Sequence, residues 1–386
     1  AAGAVSVPIY SSSSLSQIEW IIEDSGAVLA ITETPDHTDL MKNLVIGEDG
    51  TPAIKGSPSK LRRILEISSS ALETLKFEGR ELSDELVWER IHATKAADLA
   101  SLVYTSGTTG RPKGCELSHY HWLAEVRALI TNDIGAIAMP GSRLLTFLPL
   151  AHVLARAVHL AFAVTGGTQS HWSDFSTLTL EVQRSRPNLI LGVPRVFEKV
   201  RNAAAANAAD RGAIKRIMFE RAENAAIEYS MALDTAEGPS KSQVMAHKAF
   251  DKLVYSKIRA AVGGDVQYAI TGGSAMGQEL LHFFRGVGMT IYEGYGLTES
   301  AAAAAVDFTD QKIGTVGKPM GGMTIKINED GEIMLKGEML FQGYWNNPEA
   351  TAEALHDGWF NTGDLGELLE SGHLVITGRK KDLIVT

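Results

Sequence analysis

The sequence has 386 residues, 45% of them hydrophobic and 21% charged, and a formal net charge of −10. That composition supplies a large core spread over two or more lobes, while the acidic balance excludes a general nucleic-acid binder, which needs a basic stripe to follow phosphates. The lone Cys115 excludes an internal disulfide and fits a reducing cytoplasm, and the lack of any apolar run of about eighteen residues argues against an integral membrane protein.

The chain opens on GAVSVPI, without a starting methionine or a signal-like region, so the opening looks cut. GAVSVPI reads as a buried strand. In LSQIEWIIEDSG, Ile18, Ile21 and Ile22 share one helical face, Ser16 and Glu19 suit a capping box, and Gly26 ends the helix. AVLAITE reads as a strand, and strand, helix, strand implies a parallel βαβ unit. Residues 35–98 are polar and irregular with helical patches, and carry no recognisable chemistry. LASLVYT is a near-continuous apolar run, expected to be a strand that delivers the next loop at its carboxyl end, where open α/β sheets place ligands.

That loop, YTSGTTGRPKG at 104–114, crowds hydroxyls, glycines and a lysine together. Thr105, Ser106, Thr108 and Thr109 offer hydroxyl donors; Gly107, Gly110 and Gly114 let backbone N–H groups turn into one concavity; Lys113 adds a point charge. These are the parts of a polyphosphate cradle. A P-loop would place its lysine directly after the last glycine and a hydroxyl after the lysine. Here Lys113 follows Pro112, which has no N–H, and precedes Gly114. TSGTTGRPKG closely resembles instead the signature loop of the adenylate-forming superfamily, which holds acyl-CoA synthetases, luciferases and peptide-synthetase adenylation domains. The resemblance implies that the loop grips the β- and γ-phosphates of ATP.

SHYHWLAEVRALI reads as a helix opened by Ser118, with its histidines on the surface or in packing roles. RLLTFLPLAHV is a strand ending in a Leu-Pro-Leu-Ala-His context that resembles the family's second core motif, so the resemblance places His152 beside the acyl carboxylate. Peptide-synthetase domains carry an aspartate in this motif. Pro149 stands there instead, which disfavours an amino-acid substrate. PNLILGVPRVFEKV and Arg156 resemble the pattern of long-chain acyl-CoA synthetases; from spacing alone, Arg195 and Glu198 read equally well as an ion pair at a helix start. Residues 201–262 should form two helices split at GPS, as solvated faces or a docking surface.

VQYAITGGSAM and TIYEGYGLTES each run from a strand into a turn, and their closeness in sequence suggests neighbouring strand ends. By resemblance, Gly273, Ser274 and Ala275 wall one side of adenine, and Tyr295, followed by Gly296, stacks on the ring. Thr298 suits donation to the α-phosphate, and Glu299 is the hard carboxylate that Mg²⁺ prefers. From residue 306 short strands alternate with glycine-rich turns: MTIKINEDGEIMLKG reads as a hairpin turning at Asp330-Gly331, PEATAEAL as a short helix and HLVITG as a strand. WFNTGDLGEL carries Asp364, which resembles the family's ribose-binding aspartate, one carboxylate matching two hydroxyls. In the closing GRKKDLIVT the resemblance puts Arg379 near ribose and α-phosphate and makes Lys381 the hinge.

The expected fold class is therefore α/β: a large adenylate-forming-type lobe of βαβ sheets with helices over 1–305, its N-terminal part missing, then a smaller β-rich subdomain over 306–378. A hinge over 379–386 leads to a C-terminal domain that is absent. The expected activity is that of a bacterial-type long-chain fatty acid–CoA ligase using ATP, Mg²⁺ and coenzyme A, with Lys113, His152, Thr298 and Glu299 catalytic and Glu299 the metal ligand. The fragment itself is expected to bind nucleotide with little or no turnover. Fatty acid, ATP and coenzyme A are the expected partners, in the cytoplasm, with no nucleic acid; a homodimer and peripheral membrane contact stay open. The alternatives are a noncatalytic nucleotide- or acyl-adenylate-binding fragment, or an adenylating ligase for another carboxylic acid.

Overall fold

The computed structural model describes residues 3–47, 57–105, 111–131 and 138–382. Its residues fall into two units, Ala1–Leu123 with Phe341–His356, and Ala124–Leu340 with Asp357–Thr386.

In the first unit, helix α1 (Leu15–Ser25) buries Ile18, Ile21 and Ile22 and closes on Gly26 in the left-handed region, as its apolar spacing predicts. Its capping box uses Ser14 and Gln17, not Ser16 and Glu19, because Ser14 is the last extended residue before the helix. Ile18 and Ile22 pack with Leu44 and Leu61, while Ile21 meets Leu102 and Tyr104. Strand β1 (Leu29–Thr32) pairs in parallel with β2 (Arg63–Glu66), which lies inside the stretch expected to be irregular; α2 (Pro35–Met41) falls between them. The expected opening βαβ unit is not formed. GAVSVPI contributes one isolated parallel bridge, Ser6 to Ser101, and residues 3–6 are exposed, since Pro8 has no N–H with which to extend a ladder. Two further helices, α3 (Ala71–Glu78) and α4 (Asp84–Ala93), precede β3 (Leu99–Thr105). Strand β3 pairs antiparallel with β4 (Lys113–Ser118), so the strands on either side of the signature loop form a hairpin. A connection this short can join only antiparallel neighbours, and β4 itself escaped the sequence reading. PEATAEAL forms the helix Pro348–Ala354.

The second unit is built on a five-stranded sheet in the order β6, β5, β7, β8, β9. These strands, β5 (Arg143–Thr146), β6 (Thr168–His171), β7 (Leu189–Gly192), β8 (Tyr268–Gly272) and β9 (Thr290–Gly294), are all parallel. Helix α5 (His119–Thr131) leads in, its Ser118 hydroxyl accepting from the His121 N–H at 3.4 Å. The crossovers are α6 (Val153–Thr165), α7 (Leu178–Ser185), a long helical excursion before β8, and α12 (Gln278–Val287). That excursion contains α8 (Pro194–Asp210), α9 (Ala213–Leu233), α10 (Lys241–Phe250), a π-helical turn and α11 (Ser256–Ala261). It is more divided than the two helices expected, because Gly212 with φ 101° breaks the run before the split at GPS. The chain winds outward from β5 in both directions, to β6 and to β7 onward, which makes the carboxyl ends beside β5 a topological switch point. Beyond it β10 (Met323–Ile327), β11 (Glu332–Gly337), β12 (Trp359–Leu368) and β13 (Leu374–Arg379) run antiparallel, each bonded to the next, with the first turn at Asp330-Gly331. No helix among the described residues is long and apolar enough to cross a membrane.

Candidate functional site

Strands β8 and β9 are in register to their last residues, Gly272 opposite Gly294, so the turns GGSA and YGLTE leave the sheet side by side. Glu293 fastens them together: its carboxylate accepts the N–H of Met276 at 2.8 Å. Burial pushes this carboxyl up to about 7, the hydrogen bond opposing the rise. Glu293 was missed in the sequence because a lone glutamate before GYG carries no spacing signal.

The second turn is compressed against the chain that follows it. A Cβ on Gly296 would lie 1.6 Å from the carbonyl oxygen of Ala302, so only glycine fits. Thr298, Glu299 and Ser300 form a single 3₁₀ turn in which the Ser300 hydroxyl accepts the Leu297 N–H at 2.9 Å. Glu299 is buried and Thr298 half-buried. Ala301 follows in the left-handed region at φ 58°, a conformation an alanine holds only when its surroundings impose it. Part of that constraint comes from Glu125 in α5, fully buried, whose Oε1 accepts the N–H of Ala303 at 3.0 Å. Desolvation pushes Glu125 up to about 8, which keeps it protonated at neutral pH. Its placement was legible: Trp122, Glu125, Val126 and Leu129 share one helical face, so an acid stands among apolar residues.

Tyr295, Asp364 and Arg379 meet at one point. The β12–β13 register sets Asp364 opposite Arg379, and the guanidinium Nε reaches Asp364 Oδ1 at 2.9 Å. The Tyr295 hydroxyl donates to Oδ2 at 2.8 Å. Asp364 is buried, so both of its oxygens are matched by donors, as a carboxylate out of water requires. Burial, then the Asp364 charge, hold the Tyr295 phenol well above its ordinary range.

His152 caps α6, its Nδ1 accepting the Leu154 N–H at 3.3 Å. A Cβ on Gly273 would lie 4.0 Å from the other ring nitrogen, so Nε2 faces the GGSA turn. Desolvation lowers the His152 pKa, favouring the neutral imidazole. Ser274 and Ala275 continue the same turn, both exposed. Arg156 donates from Nε to the Leu150 carbonyl at 3.1 Å. Arg195 and Glu198 are exposed and form no ion pair with one another. Lys381 lies exposed in the short turn Lys380–Asp382.

In the first unit, Thr105 ends β3 and faces Lys113 across the hairpin. The candidate residues Ser106, Gly107, Thr108, Thr109 and Gly110 lie outside the described residues. Lys113 Nζ stands 4.4 Å above the Tyr344 ring, and Gly114 passes so close to Tyr104 that a Cβ would meet its ring at 3.0 Å.

For a divalent cation, Glu299 offers a carboxylate, a hard donor that suits Mg²⁺ when phosphate oxygens complete the shell. Asp307, Asp310 and His373 also converge, but the Lys318 ammonium stands 3.3 Å from Asp307 and 3.1 Å from Asp310 and supplies the positive charge there.

The sequence profile of the AMP-binding enzyme family matches residues 1–345. The long-chain-fatty-acid–CoA ligase FadD15 of Mycobacterium tuberculosis is 44% identical over 390 residues, covering 100% of this chain and 63% of the relative. Long chain acyl-CoA synthetase 4 of Arabidopsis thaliana is 28% identical over 419 residues, covering 99% of the chain and 59% of the relative. Among solved structures, the N-terminal domain of FACL13 from Mycobacterium tuberculosis aligns with a TM-score of 0.66 at 22% identity, over 98% of this chain and 80% of that one. The o-succinylbenzoate coenzyme A synthetase of Bacillus subtilis, solved with ATP and magnesium, aligns with a TM-score of 0.66 at 20% identity, over 99% and 66%. These two likenesses establish the fold. The chain spans 63% of the length of the FadD15 relatives it matches.

Proposed function

The chain belongs to the AMP-binding enzyme family, and from that premise we propose that the protein containing it is an ATP-dependent fatty acid–CoA ligase acting on long-chain acids. The observation that carries this reading is the junction of Tyr295, Asp364 and Arg379 beside the paired turns GGSA and YGLTE, because it assembles the groups a nucleoside needs. The 44% identity to FadD15 over the whole chain supports the long-chain fatty acid as substrate.

In this reading Asp364 receives the two ribose hydroxyls, exchanging the Tyr295 and Arg379 donors for theirs in part, and the Tyr295 ring stacks on adenine. Gly273, Ser274, Ala275 and Gly296 give the backbone surfaces that a flat base can approach. Thr105, the hydroxyls and glycines of 106–110 and Lys113 take the β- and γ-phosphates. In the first half-reaction a carboxylate oxygen of the acid attacks the α-phosphorus, and the bond to the bridging oxygen breaks, releasing pyrophosphate and leaving acyl-AMP. In the second, the sulfur of coenzyme A, having lost its proton, attacks the acyl carbon and the phosphate oxygen of AMP departs.

No enzyme nucleophile is required. The chain's contribution is alignment and stabilisation of charge growing on the α-phosphate. Thr298 donates to that phosphate, and Glu299 would hold Mg²⁺, which when bound would supply charge neutralisation at the phosphate oxygens. Neutral His152, with Nε2 toward the GGSA turn, lies at the acyl end and orients the carboxylate. Lys381 is the hinge position.

Glutamate at 299 acts here as a ligand and not as a base, since a fatty acid is already ionised. Glu299→Gln in the full-length protein is therefore expected to depress acyl-AMP formation while leaving the pH profile of the rate unchanged. Hydroxylamine trapping of the acyl group over a pH series measures this; disappearance of a pH limb in the variant would assign Glu299 the base role instead.

A further inference from the structure

We infer that Glu332 is a positioning residue that ties the turn at Gly363-Asp364 to the chain at Lys380, and so keeps residues 380–382 in place when a nucleotide draws Arg379 away from Asp364. The inference rests on the reading that Asp364 receives the ribose hydroxyls.

Glu332 is the first residue of β11, directly after the Asp330-Gly331 turn, and it is buried. Its Oε1 accepts the Gly363 N–H at 2.9 Å, and its Oε2 accepts from the Lys380 ammonium, also at 2.9 Å. Strand β11 grips the same turn a second time. The Thr362 hydroxyl donates to the Ile333 carbonyl at 2.8 Å and accepts the Asp364 N–H at 3.0 Å. The contacts close a ring: Gly363 precedes Asp364, Asp364 pairs with Arg379, Arg379 precedes Lys380, and Lys380 returns to Glu332.

A buried carboxylate is tolerated only when its oxygens find donors, and here one donor belongs to the nucleoside turn and the other to the chain that leaves β13. Two consecutive cations are therefore held by two different carboxylates. They respond differently to a ligand. Ribose hydroxyls compete with Arg379 for Asp364, whereas Glu332 has a protein donor on each oxygen and its hold on Lys380 does not pass through the ligand's position. Asp330 adds a contact to Lys380 at 2.6 Å, but both partners are half exposed and such a pair contributes little. Lys381 follows at once, so the place from which a hinge there would turn is set by Lys380.

The test is amide hydrogen exchange at residues 379–382 of the full-length protein, with and without AMP, beside calorimetric titration of AMP. In the unaltered protein, exchange there is expected to be as slow with AMP as without it. Glu332→Gln keeps an oxygen for the Gly363 N–H and loses the charge that holds Lys380. AMP affinity in this variant should stay within about threefold of the parent, while AMP speeds exchange at 379–382 by about tenfold, the loss of one hydrogen bond between charged groups. Lys380→Met should behave alike, and the double variant should exchange no faster than either single one, because the two side chains act through one contact. Glu332→Leu also gives up the Gly363 N–H and should lower AMP affinity by about tenfold; the Gln and Met variants carry the test should it not fold. Faster exchange in β8 and β9 as well would mean general loosening and overturn the inference. So would exchange at 379–382 that AMP leaves unchanged in both Glu332→Gln and Lys380→Met. An unaltered protein that does not bind AMP overturns the ribose reading itself, which separates the two failures.

Discussion

Asp364 carries a buried charge with both oxygens satisfied by Tyr295 and Arg379, so the aspartate is ordered before any ligand arrives. The Tyr295 ring is the one proposed to stack on adenine, so Tyr295→Ala is expected to weaken AMP binding by about 1–3 kcal/mol, the usual contribution of a base stacked on an aromatic. Calorimetry with AMP measures it, and an unchanged affinity in the folded variant would remove Tyr295 from the pocket. Glu125 gives a second test at this scale. Its folded value of about 8 exceeds its ordinary 4.5, so the folded chain retains a proton that the unfolded chain gives up between those values. The contribution to stability is complete below about 4.5 and is lost as pH rises toward 8. Glu125→Gln keeps an oxygen for the Ala303 N–H and cannot ionise. The variant should therefore gain on the unaltered chain across that window, by on the order of a few kcal/mol. Urea unfolding at pH 5, 6.5 and 8 reads the difference; parallel curves for the two proteins would show that Glu125 ionises freely.

At the scale of elements, the site depends on how closely the YGLTE turn folds back on residues 301–305. Gly296→Ala places a methyl where the Ala302 carbonyl stands, 1.6 Å away, and the expected cost is about 1–3 kcal/mol with a parallel loss of nucleotide affinity. Thermal unfolding with and without AMP measures both, and a variant as stable as the parent would mean the turn is free to open. The sequence made β8, β9 and their turns legible because apolar runs ending in Gly-Gly-Ser and Gly-Tyr-Gly mark both the strand and its end. The β10–β11 hairpin was equally plain from Asp330-Gly331. The signature loop was plain as a motif, but the strand after it was not, since KGCELS is short and mixed in character and its strand state comes from pairing with β3. Strand β2 was hidden for the same reason: RILE has no pattern of its own and is a strand because β1 lies beside it. The contact of Lys113 with the Tyr344 ring was out of reach, as Tyr344 comes 231 residues after Lys113 by numbering.

For the whole molecule, the net charge of −10 gives no general attraction for anions, so the anionic substrates proposed for it would have to be met by local cations. The long acyl chain of the proposed substrate would have to be shielded from water, so affinity for fatty acids should climb by roughly 0.8 kcal/mol per added methylene until the chain outgrows the space that shields it. Competition among acids of increasing length against one labelled acid measures this, and a flat response would indicate a different carboxylate. The central claim, that the protein joins a fatty acid to coenzyme A through an adenylate, is tested most directly by product analysis. The full-length protein is incubated with labelled long-chain acid, ATP, Mg²⁺ and coenzyme A, and acyl-CoA, AMP and pyrophosphate are counted. The prediction is one AMP and one pyrophosphate for each thioester, with acyl-AMP accumulating when coenzyme A is withheld. Release of ADP and phosphate, or thioester formation that does not need ATP, would contradict it.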